Sequence, residues 1–182
     1  GKPVLEQERV AVRDERLDAA VDLALVVVEV GRDPHALRLA GDVDAALEEC
    51  RVFWIEEPFT PDNIADYAHV NARTPIPLAA GENHFTRYEA RELLERRAVD
   101  ILQPDPCKAG GISEVRKIAD LASAHRRAFA PHTGMSAIDS AACVHLLCAA
   151  SNALVYESDC AAYNPFRDEL AAGAPRVVDG FV

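Results

Sequence analysis

Short apolar runs rich in Val, Ile, Leu and Ala alternate along this chain with longer segments of helical periodicity. This alternation is typical of repeated β-α units, in which parallel strands are covered by helices and therefore read as continuous apolar runs. The sequence predicts strands over 22–28, 52–55, 76–80, 99–103, 128–131 and 153–156, and helices over 87–97, 113–127 and 136–150. It thus predicts an α/β fold built on a parallel sheet.

A polar, potentially catalytic side chain follows each of the last five predicted strands. These side chains belong to Glu56, Glu82, Asp105, His132 and Glu157. They recur about every 25 residues, the length of one strand, one helix and two connections. The carboxyl ends of parallel strands meet at one rim, where barrels and open α/β sheets place their sites. Five converging ends favour a barrel, since an open sheet brings only the strands beside its switch point near one ligand.

The chain length sets the extent of that barrel. A complete (β/α)8 barrel needs about 250 residues, whereas this chain has 182. We therefore expect an incomplete TIM-type barrel of about six strands, forming one domain over residues 1–182. Unpaired strand edges of such a barrel invite association, so we also expect a homo-oligomer.

Charge and cysteine content exclude several kinds of partner. The net charge is -11, and the Lys and Arg residues are scattered, which disfavours binding to nucleic acids or anionic membranes. The most apolar stretch, 19–30, is too short and too acidic to span a bilayer. Five cysteines without a C-x-x-C pair indicate neither a disulfide framework nor a zinc site and favour the cytoplasm. An anionic ligand would need local cations or a bound metal ion to offset this net charge.

The rim residues suggest specific chemistry. Glu56 and Glu82 offer the oxygen ligands that Mg²⁺ prefers, although acidic residues also end strands simply because loops are solvated. Asp105 can orient His132 and raise its basicity, as a general base requires. Lys108 could neutralise an anionic substrate, but a solvated loop lysine is the simpler interpretation.

The motifs, taken in order, resemble one known family. WIEEP, then GEN, ILQPD with K-x-GG, HTGMSA and VYESD resemble the barrel domain of the enolase superfamily, specifically its mandelate racemase-like subgroup (the mandelate racemase/muconate lactonizing enzyme family). The similarity runs from about residue 22 to residue 182. Each motif alone is weak, but five motifs in the same order at barrel spacing are specific.

The resemblance implies a function and a role for each rim residue. Glu56 and Glu82 correspond to two carboxylates that bind Mg²⁺, and Asp105 and His132 to a dyad whose His is the general base. Glu157 corresponds to the carboxyl group that hydrogen-bonds the enediolate formed after a proton is removed next to a carboxylate. The implied activity is dehydration of a sugar acid, a hydro-lyase reaction, with racemisation or epimerisation as the alternative.

Two departures from the family pattern support a further alternative. The family's first metal-binding Asp usually stands in D-x-N before a Gly, and alignment on Gly31 places Val28 and Val30 at the Asp and Asn positions of that pattern. The two lysines of the family's second strand and the N-terminal capping domain are also missing, and ERVAVR corresponds to the helix that follows the lysine strand. A catalytically inactive, truncated homologue that acts as a scaffold or binding protein is therefore the other hypothesis.

Overall fold

The computed structural model describes residues 10–12, 52–134, 136–159, 161–178 and 181–182. The predicted strand over 22–28, and with it Val28, Val30 and Gly31, lies outside these ranges. Strands and helices alternate through the described residues as the sequence predicts. In chain order they are β1 (Val10–Val12), β2 (Ile55–Glu56), α1 (Ile64–Asn71), β3 (Leu78–Ala80), α2 (Thr86–Glu95), β4 (Ile101–Leu102), α3 (Ile112–Ala124), β5 (Ala128–Phe129), α4 (Ala137–Ala149), β6 (Tyr156–Ser158) and α5 (Pro165–Asp168).

β2, β3, β4 and β5 form a parallel sheet in the order of the chain. A parallel bridge between Phe129 and Ala153 carries this sheet one strand further. The register pairs Ile55 with Leu78, Ala79 with Ile101, and Ile101 with Ala128. Because each strand lies beside the next one in sequence, these elements form a continuous series of adjacent β-α units.

The two ends of the described chain differ from the sequence predictions. Of the strand predicted over 153–156, Ala153 forms an isolated bridge and Tyr156 begins β6, which continues to Ser158. β6 pairs antiparallel with β1, so residues 10–12 form a strand where the family resemblance implied a helix. A short β-branched run such as VAV favours an extended backbone once a neighbouring strand can pair with it.

Two apolar clusters cover the two faces of the sheet, as buried parallel strands require. The larger cluster lies between the strands and the helices and includes Leu78, Leu102 and Phe129. The smaller one lies on the inner face and consists of Trp54, Ala79, Ile101, Ala130 and Val155. Successive strand residues point to opposite faces, so a side chain two positions after an inner-face residue also points inward.

The helix ends show how far local signals hold. Ser136 caps α4 by accepting a hydrogen bond from the backbone N–H of Asp139, which fits the predicted start of that helix. α2 begins at Thr86, one residue before the predicted start, and the Glu89 carboxylate accepts from the N–H of Phe85, the residue that precedes the helix. No helix in the described ranges is long and apolar enough to cross a membrane.

Candidate active site

Strand alternation brings four of the five predicted residues to one rim. Glu56 follows Trp54 by two positions, His132 follows Ala130, and Glu157 follows Val155, so each side chain continues an inward-facing row. Gln103 comes two residues after the inner-face residue Ile101, and Asp105 comes two residues after Gln103. All four predicted residues are buried, and Asp105 and Glu157 are fully so. The rim therefore forms by extension of the apolar interior.

Glu82 reaches the rim through the glycine before it. Gly81 has φ +147°, and a Cβ there would lie 2.8 Å from the backbone nitrogen of Gln103 and 2.9 Å from its carbonyl carbon. Such contacts exclude every side chain, and this φ is accessible in practice only to glycine. The close approach of the two strand ends fixes the backbone from which Glu82 projects.

His132 lies between two carboxylates. Its Nδ1 is 2.9 Å from Asp105 Oδ2, and its Nε2 is 2.5 Å from Glu82 Oε2. Burial by itself lowers the pKa of this imidazole, but the hydrogen bonds to Asp105 and Glu82 outweigh burial and raise the pKa to about 9. The other Asp105 oxygen accepts from the backbone N–H of Cys107 at 2.7 Å. Asp105 is thus held from both sides and fixes the orientation of the imidazole.

The other two predicted carboxylates meet across a single amide. Gln103 Nε2 donates to Glu56 Oε2 at 3.0 Å and to Glu157 Oε2 at 3.2 Å. The indole N–H of Trp54 also donates to Glu56 Oε2, at 3.1 Å. Thr133 Oγ1 donates to the backbone oxygen of Glu157. Sequence reasoning missed Gln103, although its position two residues before Asp105 places it on the same face.

Glu82 has two further neighbours at the open side of the rim. Lys108 Nζ lies 3.9 Å from Glu82 Oε2, with its side chain 28% exposed. Asn83 Nδ2 donates to Glu82 Oε1 at 3.1 Å and to Glu57 Oε2 at 2.7 Å. Burial, opposed by the Asn83 hydrogen bond, raises the pKa of Glu57. Lys108 therefore lies at the rim, and Glu57 is held beside it by Asn83.

Two sets of residues within the described ranges carry side chains that could bind a metal ion. Asp105, Cys107 and Asp139 place one ligand atom each within 4.8 Å of one another. Burial and the neighbouring Asp139 raise the pKa of the Cys107 thiol to about 11, so the thiolate that binds metals is scarce at neutral pH. Glu56 and Glu82, in contrast, offer carboxylate oxygens beside a polar rim, which suits Mg²⁺ with water or substrate completing its shell.

Comparison with known proteins identifies the fold family. A sequence model of the family described as enolase C-terminal domain-like matches residues 2–182. The chain belongs to this family. The solved structures to which it is similar include a candidate mandelate racemase from Bordetella bronchiseptica RB50 in complex with 2-oxoglutarate/phosphate, with TM-score 0.80 and 32% identity over 92% of this chain and 44% of that one. The predicted resemblance and the predicted barrel-type fold are both confirmed.

Two further proteins to which the chain is similar have names that state an activity. A D-galactonate dehydratase of Variovorax paradoxus (strain S110) is 41% identical over 150 residues, which are 81% of this chain and 37% of the relative. The 3,6-anhydro-D-galactonate cycloisomerase of Zobellia galactanivorans has TM-score 0.70 and 31% identity over 79% of this chain and 40% of that one. The chain thus spans less than half the length of these relatives.

Proposed function

We propose that this chain carries the acid–base residues of a Mg²⁺-dependent sugar-acid dehydratase. One observation carries the proposal: the His132 imidazole is held between Asp105 and Glu82 at the strand-end rim. The similarity to D-galactonate dehydratases supports an acid sugar as the substrate and a hydro-lyase as the reaction class. The substrate is then a small carboxylate, and nucleic acids and membranes are not partners.

His132 performs the proton transfers in this proposal. Asp105 accepts from Nδ1–H, so Nε2 is the nitrogen that exchanges a proton with the substrate. The contact with Glu82 favours protonated Nε2, so Nε2 must first be released from Glu82 and lose its proton. Unprotonated Nε2 then takes the proton from the carbon next to the substrate carboxylate, leaving the electron pair in an enediolate. Protonated Nε2 then gives that proton to the β-hydroxyl, which leaves as water while the double bond forms. The proton removed in the first step is returned in the second, so the balance closes.

Glu56 and Glu82 would hold the Mg²⁺ ion. Bound there, the ion supplies positive charge that stabilises the enediolate and lowers the barrier to its formation. Trp54 and Gln103 keep Glu56 in place through hydrogen bonds to Oε2. Glu82 meets both the imidazole and Lys108, so binding of the ion and proton transfer share one carboxylate.

Glu157 and Lys108 have supporting roles. Glu157 is fully buried and reaches the same rim, and in protonated form its carboxyl would donate a hydrogen bond to an enediolate oxygen. Lys108 lies 3.9 Å from Glu82 at the open side of the rim, and its charge favours an anionic substrate against the negative net charge of the protein.

The activity test follows the two halves of the reaction separately. The chain is incubated with D-galactonate and Mg²⁺ in D₂O, and NMR follows deuterium entry at the α-carbon and formation of the dehydrated keto acid. We expect the parent chain to form the keto acid, with solvent deuterium at the carbon next to the new carbonyl group, and His132→Asn to give neither product nor deuterium entry. Deuterium entry without loss of water would indicate the racemase or epimerase alternative. A folded chain that does neither would contradict catalysis and favour the scaffold alternative.

A second test concerns the metal alone. Calorimetric titration with Mg²⁺ should show saturable binding that both Glu56→Gln and Glu82→Gln abolish. Glu89→Gln is the matched control, because Glu89 is exposed and bonds only to the start of its own helix. Equal binding in all variants would contradict the proposed ligands. A homo-oligomer, testable by sedimentation, and a location in the cytoplasm remain further parts of this proposal.

A further inference from the structure

Gln103 is a neutral side chain that is buried beside two carboxylates. Its side chain is 1% exposed, and burial of an amide is unfavourable unless the amide is hydrogen-bonded. Both bonds of Nε2 go to carboxylates on other strands, Glu56 on β2 and Glu157 on β6. Its Oε1 is buried as well and receives no hydrogen bond from the described residues. The polar contacts of this side chain are therefore its contacts with the two carboxylates.

The chemistry of the contact fixes which end of the amide faces them. Carboxylate oxygens are acceptors, so the flipped amide would place Oε1 against two acceptors and leave no donor. The NH₂ group has two hydrogens, one for each carboxylate. Each carboxylate meets Gln103 through its Oε2 atom.

The backbone of Gln103 is held as tightly as its side chain. Its N–H donates to Ala80 O at 2.9 Å, and the absent side chain of Gly81 lets the two strand ends approach closely. A donor on a fixed backbone keeps its acceptors at fixed positions. Partners that orient metal-binding carboxylates in this way commonly change metal affinity by 10–100-fold when removed.

We propose that Gln103 is a positioning residue that holds Glu56 and Glu157 together through one amide nitrogen, linking the metal-binding carboxylate to the enediolate-binding carboxyl. The role assigned to the two carboxylates rests on the proposed function, whereas the bridge between them does not. The bridge joins β2 and β4 of the parallel sheet to β6, which belongs to the other sheet, so it connects separate parts of the rim where substrate would bind.

The first experiment detects the bridge without metal or substrate. In a ¹H–¹⁵N spectrum of the ¹⁵N-labelled chain, the Gln103 side-chain NH₂ gives two proton signals, assigned by their loss in Gln103→Met. We expect Glu56→Gln to move one of these signals and Glu157→Gln to move the other. If neither variant moves a signal, or if both variants move the same one, the two-carboxylate bridge is wrong.

The second experiment measures the effect on a metal, with Mn²⁺ as the probe and its free EPR signal as the readout. We expect the Kd of Mn²⁺ to rise about 10-fold or more in Gln103→Met. The matched control is Asn152→Leu, which removes an amide that donates to Arg127 O at 2.9 Å near the start of β5. The control should lose thermal stability while keeping the parent Kd.

The two experiments separate failure of the inference from failure of the proposed function. Equal Mn²⁺ affinity in Gln103→Met and the parent chain would overturn the positioning role. If the parent chain binds no Mn²⁺, the proposed metal function fails, and the NMR signals alone decide whether the bridge exists.

Discussion

The close approach of β3 and β4 at Gly81 makes a quantitative prediction for Gly81→Ala. The added methyl group would lie 2.8 Å from the backbone nitrogen of Gln103, and φ +147° is strained for any residue with a Cβ. Overpacking costs about 1–3 kcal/mol, and holding a residue in a sparsely populated backbone region costs about 1–3 kcal/mol more. We expect Gly81→Ala to lower the free energy of unfolding by about 2–6 kcal/mol, a large part of the stability of a typical domain.

Gly111→Ala and Gly173→Ala are the matched controls. These glycines also have positive φ, +86° and +75°, but a Cβ at either would meet no described atom within 4 Å. Only backbone strain then remains, and each control should cost about 1–3 kcal/mol. The comparison therefore isolates the steric contribution of the contact with Gln103.

The assay is urea unfolding at constant pH, followed by far-UV circular dichroism. The midpoint should fall much further in Gly81→Ala than in the controls, with similar slopes if the unfolded states are alike. If Gly81→Ala costs no more than the controls, then the two strand ends separate at little cost, and the argument that this glycine fixes the Glu82 backbone is wrong.

Three further predictions concern single groups. Arg167 lowers the pKa of Asp168 to about 2, so the pair should stabilise the fold above pH 4 and lose that effect as the pH falls towards 2; acid unfolding of Asp168→Asn, which lacks this component, checks it. Burial raises the pKa of Cys107 to about 11, so peptide mapping should find its alkylation at pH 7.5 about 100-fold slower than that of a free thiol. Trp54→Phe removes the N–H that donates to Glu56 and should cost about 1 kcal/mol in urea unfolding, with weaker Mg²⁺ binding in calorimetry.

The rim could be predicted from the sequence because each of its polar residues lies close in sequence to the apolar strand that positions it. An apolar strand followed by a polar residue at a β-α repeat places that residue at the carboxyl edge, whatever the details of packing. The contact of His132 with Asp105 at 2.9 Å is what consecutive strand ends lead one to expect. The contact of His132 with Glu82 on β3, two strands away, depends on rotamers and on the tilt of the strands, which the repeat does not reveal.

Gln103 and Asp139 show where sequence reasoning stops. Gln103 lies between a strand and a proline, and nothing beside it indicates partners 47 and 54 residues away. Asp139 looks like a first-turn helix residue, yet it is 1% exposed, and burial and the charge of Asp105 raise its pKa. The partners of both residues are set by how strands and helices pack, so composition and periodicity cannot supply them.

The contact between Glu56 and Gln103 also carries information about the shape of the sheet. Glu56 pairs with Ala79 on β3, and Ala79 pairs with Ile101 on β4, so a flat, untilted sheet would put Glu56 level with Ile101. Glu56 instead bonds to Gln103, two residues further along. Strands of a closed eight-stranded barrel are staggered by about one residue per strand, which brings alternate strands into one layer of interior side chains. An offset of two residues across two strands equals that stagger, so the contact between Glu56 and Gln103 is the one that the alternate strands β2 and β4 of a barrel would make.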